Sequence, residues 1–95
     1  ECGATPVCVD INGDFNIDPD EIEKAITSKT RAIVPVHFTG LMCKMDRISE
    51  IAKNNNIHVI EDAAHAYGAE FKSISSTTIP VCWMLVAGKH FCSMK

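Results

Sequence analysis

Residues 57–69 read Ile57-His58-Val59-Ile60-Glu61-Asp62-Ala63-Ala64-His65-Ala66-Tyr67-Gly68-Ala69, and the fold follows from how this stretch divides. Ile57 to Ile60 has the composition of a strand, and it closes on the acids Glu61 and Asp62. In open α/β sheets, ligands bind beyond the carboxyl ends of the strands. Asp62 therefore stands where a ligand would be. Strand side chains alternate, so Glu61 points the other way. Ala63, Ala64 and Ala66 are small and let a flat ligand or another backbone come close.

Working upstream, Met45, Ile48, Ile51 and Ala52 make an amphipathic helix that fades into Asn54-Asn55-Asn56. Arg31 to His37 is a near-continuous apolar run, the pattern of a parallel strand buried on both faces. Pro35 weakens that strand because proline cannot donate to a ladder, and Gly40 marks the loop after it. Before it, Asp18, Pro19 and Glu21 have the spacing of an N-cap, a first helical proline and a capping box, with Ile17 and Ile22 placed as a staple. Ile22, Ala25 and Ile26 form that helix's apolar face, and Ser28 to Thr30 ends it. Thr5 to Ile11 predicts a first strand, ended by the turn signal Asn12-Gly13. The order strand, helix, strand, helix, strand predicts an α/β parallel sheet. So few elements cover both faces of such a sheet poorly.

After Lys72 the character changes. Ser73 to Thr78 is polar, Ile79 to Ala87 is apolar, and neither period is clean. The expected division is residues 1–72 and a tail, 73–95, without an assigned motif. A shifted reading frame, an assembly error or a truncated protein would each produce such a tail.

Composition narrows the function classes. The chain has 95 residues, 46% hydrophobic and 22% charged, with a net charge of -3, which is ordinary for a globular protein. No basic cluster is present to neutralise phosphates, so a nucleic-acid partner is not expected. No apolar run approaches the ~20 residues of a membrane-spanning helix. The first residues carry no Met, basic region or apolar core, which predicts no signal peptide and a start further upstream. The five cysteines are odd in number and form no CxxC pair, so reduced thiols and a cytoplasmic location are expected.

From the residues alone, Asp62 has three possible tasks. It could cap the following turn, bind Mg²⁺ as strand-end acids do in phosphoryl-accepting domains, or pair with a cationic nitrogen on a cofactor. His65 by itself reads as a packed or solvent-facing histidine.

Five blocks then occur in one order and spacing: Gly3 to Ile11, Phe15 to Pro19, Ala32 to Gly40, Met45-Asp46, and Val59 to Ala69. Together they resemble the DegT/DnrJ/EryC1/StrS family of nucleotide-sugar aminotransferases over residues 1–72. The resemblance implies part of the large domain of the aspartate-aminotransferase fold, the fold of type I pyridoxal-phosphate enzymes. It implies pyridoxal 5'-phosphate as cofactor, with Asp62 at the pyridinium nitrogen and His65 against the ring or its oxygen. His37 and Gly40 match the family's Pro-Val-His-x-x-Gly segment, as shapers of a loop or as lining of the site. Cys8 replaces a usual aromatic residue. The implied reaction moves an amino group from an amino acid, glutamate, to a keto-sugar nucleotide, in a homodimer. The family's lysine segment, Ser-Phe-x-x-x-Lys, is not recognisable, and neither Lys89 nor Lys95 is assigned to it. The chain alone is therefore expected to be inactive. A non-catalytic α/β remnant or interaction module is the alternative, ahead of a Mg²⁺-binding phosphoryl-accepting domain.

Overall fold

A computed structural model describes residues 3–66 in full and the backbone of 78–81, 84–86 and 89–91. The first helix, α1 (Pro19–Ala25), begins where its cap places it. The Asp18 carboxylate accepts the Asp20 N–H at 3.0 Å, satisfying one of the unpaired amides of the first turn. Glu21 does not complete a capping box; its carboxylate meets Lys24 Nζ at 2.6 Å. Ile22 enters the core, with Ile17 packed against it from before the cap.

The strand predicted over Arg31 to His37 is regular only in β1 (Ala32–Ile33). Proline interrupts it, yet the pairing continues past the interruption. The Asp62 N–H donates to the Pro35 carbonyl at 2.9 Å, and the His37 N–H donates to the Asp62 carbonyl at 3.1 Å. Pro35 thus serves the ladder as an acceptor, the one main-chain role proline keeps.

Helix α2 (Met45–Asn54) buries Met45, Ile48, Ile51 and Ala52, the four residues of its apolar stripe. It ends at Asn55, and Asn56 takes a positive φ of 54°, a conformation asparagine tolerates better than most residues. The Ile57 N–H returns to the Ala52 carbonyl at 2.8 Å and delivers the chain into β2 (His58–Asp62). Strand β2 pairs in parallel with β1 on one side and with β3 (Thr78–Val81) on the other. A separate antiparallel hairpin joins β4 (Met84–Val86) to β5 (Lys89–Phe91). The alternation read from the sequence is therefore an α/β unit with a parallel sheet in the order β1-β2-β3. Its third strand comes from the tail, for which the sequence offers no clean period.

Besides the capping box, two expectations differ from the structure. Thr5 to Ile11 is not a strand: Ile11 makes an isolated antiparallel bridge to Ile17, across the turn at Asn12-Gly13. Val7 and Ile11 are 73% and 50% exposed. Among the described residues only Val9 of this run packs against the core, and a run paired at a single bridge and so little covered gains too little burial to hold a strand. The Arg31–His37 run is also not buried on both faces. Ile33, Pro35 and His37 are buried, while Val34 and Val36 are exposed. The described helices cover one face. The core of Ile22, Ile33, Cys43, Met45, Ile48, Ile51, Ala52, Ile57 and Val59 lies between that face and the helices. The division expected at Lys72 falls outside the described residues.

Candidate functional site

The carboxyl ends of β1 and β2 lie side by side, joined by the two main-chain bonds at Pro35, His37 and Asp62. Asp62 is the last residue of β2 and is half-buried. Its side chain accepts the Ala64 N–H at 3.1 Å, so it does cap the following turn. That turn closes through the Ala66 N–H and the Ala63 carbonyl at 2.9 Å. His65 sits on the turn and is exposed, its ring centroid 6.3 Å from that of Phe38. Phe38 in turn lies 6.2 Å from Phe15. Asp62 and His65, the residues expected to hold a cofactor, thus lie together at the carboxyl end of the middle strand.

His37 is not part of that exposed end. It is wholly buried, and its Nε2 lies 3.0 Å from Glu61 Oε2, a carboxylate itself only 3% exposed. The Cys43 backbone N–H donates to His37 Nδ1 at 3.2 Å, and the Cys43 thiol donates to the Val36 carbonyl at 3.2 Å. The Cys43 side chain and, after it, the Glu61 carboxylate push the imidazole pKa upward, while burial opposes them. The backbone sets a limit to that rise. An N–H aimed at Nδ1 needs a lone pair there, so a second ring proton would break the bond. The geometry holds the neutral tautomer, with the proton on Nε2 facing Glu61. Among the described residues no donor reaches Glu61 Oε1.

The loop between His37 and Cys43 is clamped a second time. Asn16, 1% exposed, accepts the Phe38 N–H on Oδ1 and donates from Nδ2 to the Leu41 carbonyl, both at 3.0 Å. Between these clamps Thr39 and Gly40 take positive φ of 54° and 86°. A Cβ on Gly40 would lie 3.1 Å from the His65 carbonyl oxygen. The loop therefore presses directly on the turn that carries His65.

Asn16 and Cys43 escaped the sequence reading because their partners lie 22–25 and 6 residues away, in no recognisable spacing. Glu61 could have been found, since the strand alternation already turned it inward, opposite His37. A cleft lined by Thr27, Ser28, Arg31, Asn55 and Asn56 opens at the other, amino end of the strands, away from Asp62. Among the described residues, no three His, Cys, Asp or Glu side chains converge as a metal site, and no helix is long and apolar enough to cross a membrane.

A parallel sheet with helices on one face and an acid at the end of its middle strand is, in this form, a piece of the large domain of the aspartate-aminotransferase fold. The chain belongs to the DegT/DnrJ/EryC1/StrS aminotransferase family, whose match spans residues 1–85. It is 48% identical to GDP-perosamine synthase of Caulobacter vibrioides over 82 residues, 85% of this chain and 22% of that protein. It is 54% identical to dTDP-4-amino-4,6-dideoxy-D-glucose transaminase of Escherichia coli over 71 residues, 74% of this chain and 19% of that protein. Among solved structures, NtdA of Bacillus subtilis with bound cofactor PMP superposes with a TM-score of 0.68 at 48% identity, covering 70% of this chain and 15% of that one. The chain spans about a fifth of the length of the relatives it matches.

Proposed function

We propose that this chain supplies the cofactor-ring wall of a pyridoxal-phosphate-dependent aminotransferase that acts on a keto-sugar nucleotide. The observation that carries the reading is Asp62, half-buried at the end of β2 and tied through its main chain to Pro35 and His37. Its fixed backbone gives the carboxylate a defined position, and the small Ala63 and Ala64 leave space beside it. A carboxylate at that position suits a pyridinium nitrogen, which it keeps protonated. His65, exposed on the adjoining turn, supports the ring or its oxygen. When bound, pyridoxal phosphate supplies an electron sink for the carbon that loses or gains the amino group.

The names of the perosamine and dTDP-sugar relatives support a nucleotide-bound sugar as acceptor. Glutamate is the amino donor in this reading, the working form is a homodimer, and the location is the cytoplasm. Residues 1–72 carry the wall; the tail from 73 to 95 is given no catalytic role, and neither Lys89 nor Lys95 is assigned as the lysine that joins the cofactor. The 95-residue chain by itself is therefore inactive in this proposal.

The test is Asp62→Ala in the intact enzyme that carries this segment. Removing the carboxylate should lower the pH at which the ring nitrogen loses its proton by about 1 to 3, read from the pH dependence of cofactor absorbance, and turnover should collapse with it. An unchanged absorbance titration would refute the assignment of Asp62.

A further inference from the structure

Behind the exposed strand end lies a buried pair that the proposed chemistry does not use. His37 and Glu61 meet at 3.0 Å on the helix-covered face of the sheet, the face opposite Asp62. Both nitrogens of His37 are occupied, Nε2 by Glu61 and Nδ1 by the Cys43 N–H. The imidazole therefore has no lone pair or proton to offer a substrate, and it is sealed from solvent. What it holds is the loop. Its ring takes the amide of Cys43 at the loop's far end, while its own N–H holds the Asp62 carbonyl at the near end. Gly40, within that loop, abuts the His65 carbonyl.

We infer that His37 and Glu61 form a positioning pair for the cofactor wall: Glu61 fixes the tautomer of His37, His37 fixes the 37–43 loop, and the loop sets where His65 stands beside Asp62. This rests on the reading of Asp62 and His65 given above. Neither His37 nor Glu61 touches the cofactor in this scheme. Their effect travels through two hydrogen bonds and one close backbone approach. Strand alternation turns Glu61 to the core side, where a polar side chain needs a hydrogen-bonding partner, and Nε2 of His37 is that partner.

The experiment uses the intact enzyme and pyridoxamine phosphate as probe. The double variant His37→Leu with Glu61→Leu removes both polar groups together and so leaves no unpaired buried charge. It should keep its melting temperature within a few degrees, yet bind pyridoxamine phosphate roughly 10- to 100-fold more weakly, by analogy with the loss when partners behind metal-ligating side chains are removed. The visible circular dichroism of the bound cofactor should change as well. Glu61→Gln keeps an acceptor for Nε2–H and should bind as the unmodified enzyme does. Unchanged affinity and dichroism in the double variant would overturn the inference, and so would an equal loss in Glu61→Gln. Nitrogen NMR of His37 in the unmodified enzyme needs no variant to fold: an unprotonated Nδ1 at neutral pH is expected, and a protonated one overturns it. Asp62→Ala run alongside separates the two readings. If it perturbs the cofactor and the double variant does not, the pair alone is refuted; if Asp62→Ala is silent, the wall has no anchor to position and both fall.

Discussion

At the scale of single residues, the loop between His37 and Cys43 depends on glycine and asparagine for different reasons. Gly40 combines a positive φ with a Cβ position 3.1 Å from the His65 carbonyl oxygen. Gly40→Ala should cost about 1–2 kcal/mol from the backbone conformation alone, measured by urea denaturation of the intact enzyme, with a further loss as His65 is displaced. Asn16 answers two main-chain groups at once. Asn16→Ala leaves the Phe38 amide and the Leu41 carbonyl without those partners and should cost roughly 1–3 kcal/mol; a loss under a few tenths would show that the clamp is not under load. Gly40 was legible as a loop glycine, whereas Asn16 was not. A polar residue just after a turn gives no sign of being buried, because burial here comes from a loop more than twenty positions away in sequence.

At the scale of elements, local chemistry and tertiary cover decided separate outcomes. Helix α1 was legible because its start is written in consecutive residues, Asp18 and Pro19, and its cap forms with Asp20. Asp18→Ala should cost about 1 kcal/mol, and a thermal melt that does not move would contradict the cap. The stripe of α2 was legible for the same reason: helical spacing is a property of the segment itself. The run from Thr5 to Ile11 has equally good strand composition and does not form a strand. A strand is completed by neighbours, and composition cannot report whether a neighbour is there. The third strand shows the converse. Its residues lack a clear pattern, yet its backbone pairs with β2 from Val59↔Thr78 to Asp62↔Val81. Of the candidate site, the strand end, its acid and the loop at His37 and Gly40 were legible, while the clamps on that loop were not.

At the scale of the whole molecule, one face of the sheet has its helices and the other exposes Val34 and Val36, at 54% and 44%. Phe15, Phe38 and Leu41 are exposed as well. Parallel sheets are stable with both faces covered, so the 95-residue chain on its own should self-associate through this surface. Sedimentation at micromolar concentration should show oligomers, and replacing Val34 and Val36 by Lys should shift the distribution toward monomer. A monodisperse monomer with a sharp cooperative melt would contradict this. The wall around Asp62 is therefore a part whose stability is set by what the intact enzyme lays over it.

The double clamp on the loop also makes it a ruler. Asn16 spans from Phe38 to Leu41, and His37 spans from its own ring to Cys43, so the number of residues between these points is metered at both ends. Adding or deleting one residue there could satisfy at most one clamp at a time. Loops usually absorb changes of length at little cost; this one should not. Insertions in the exposed turn at Gly13-Asp14, more than twenty positions earlier in the chain, should be absorbed far more readily.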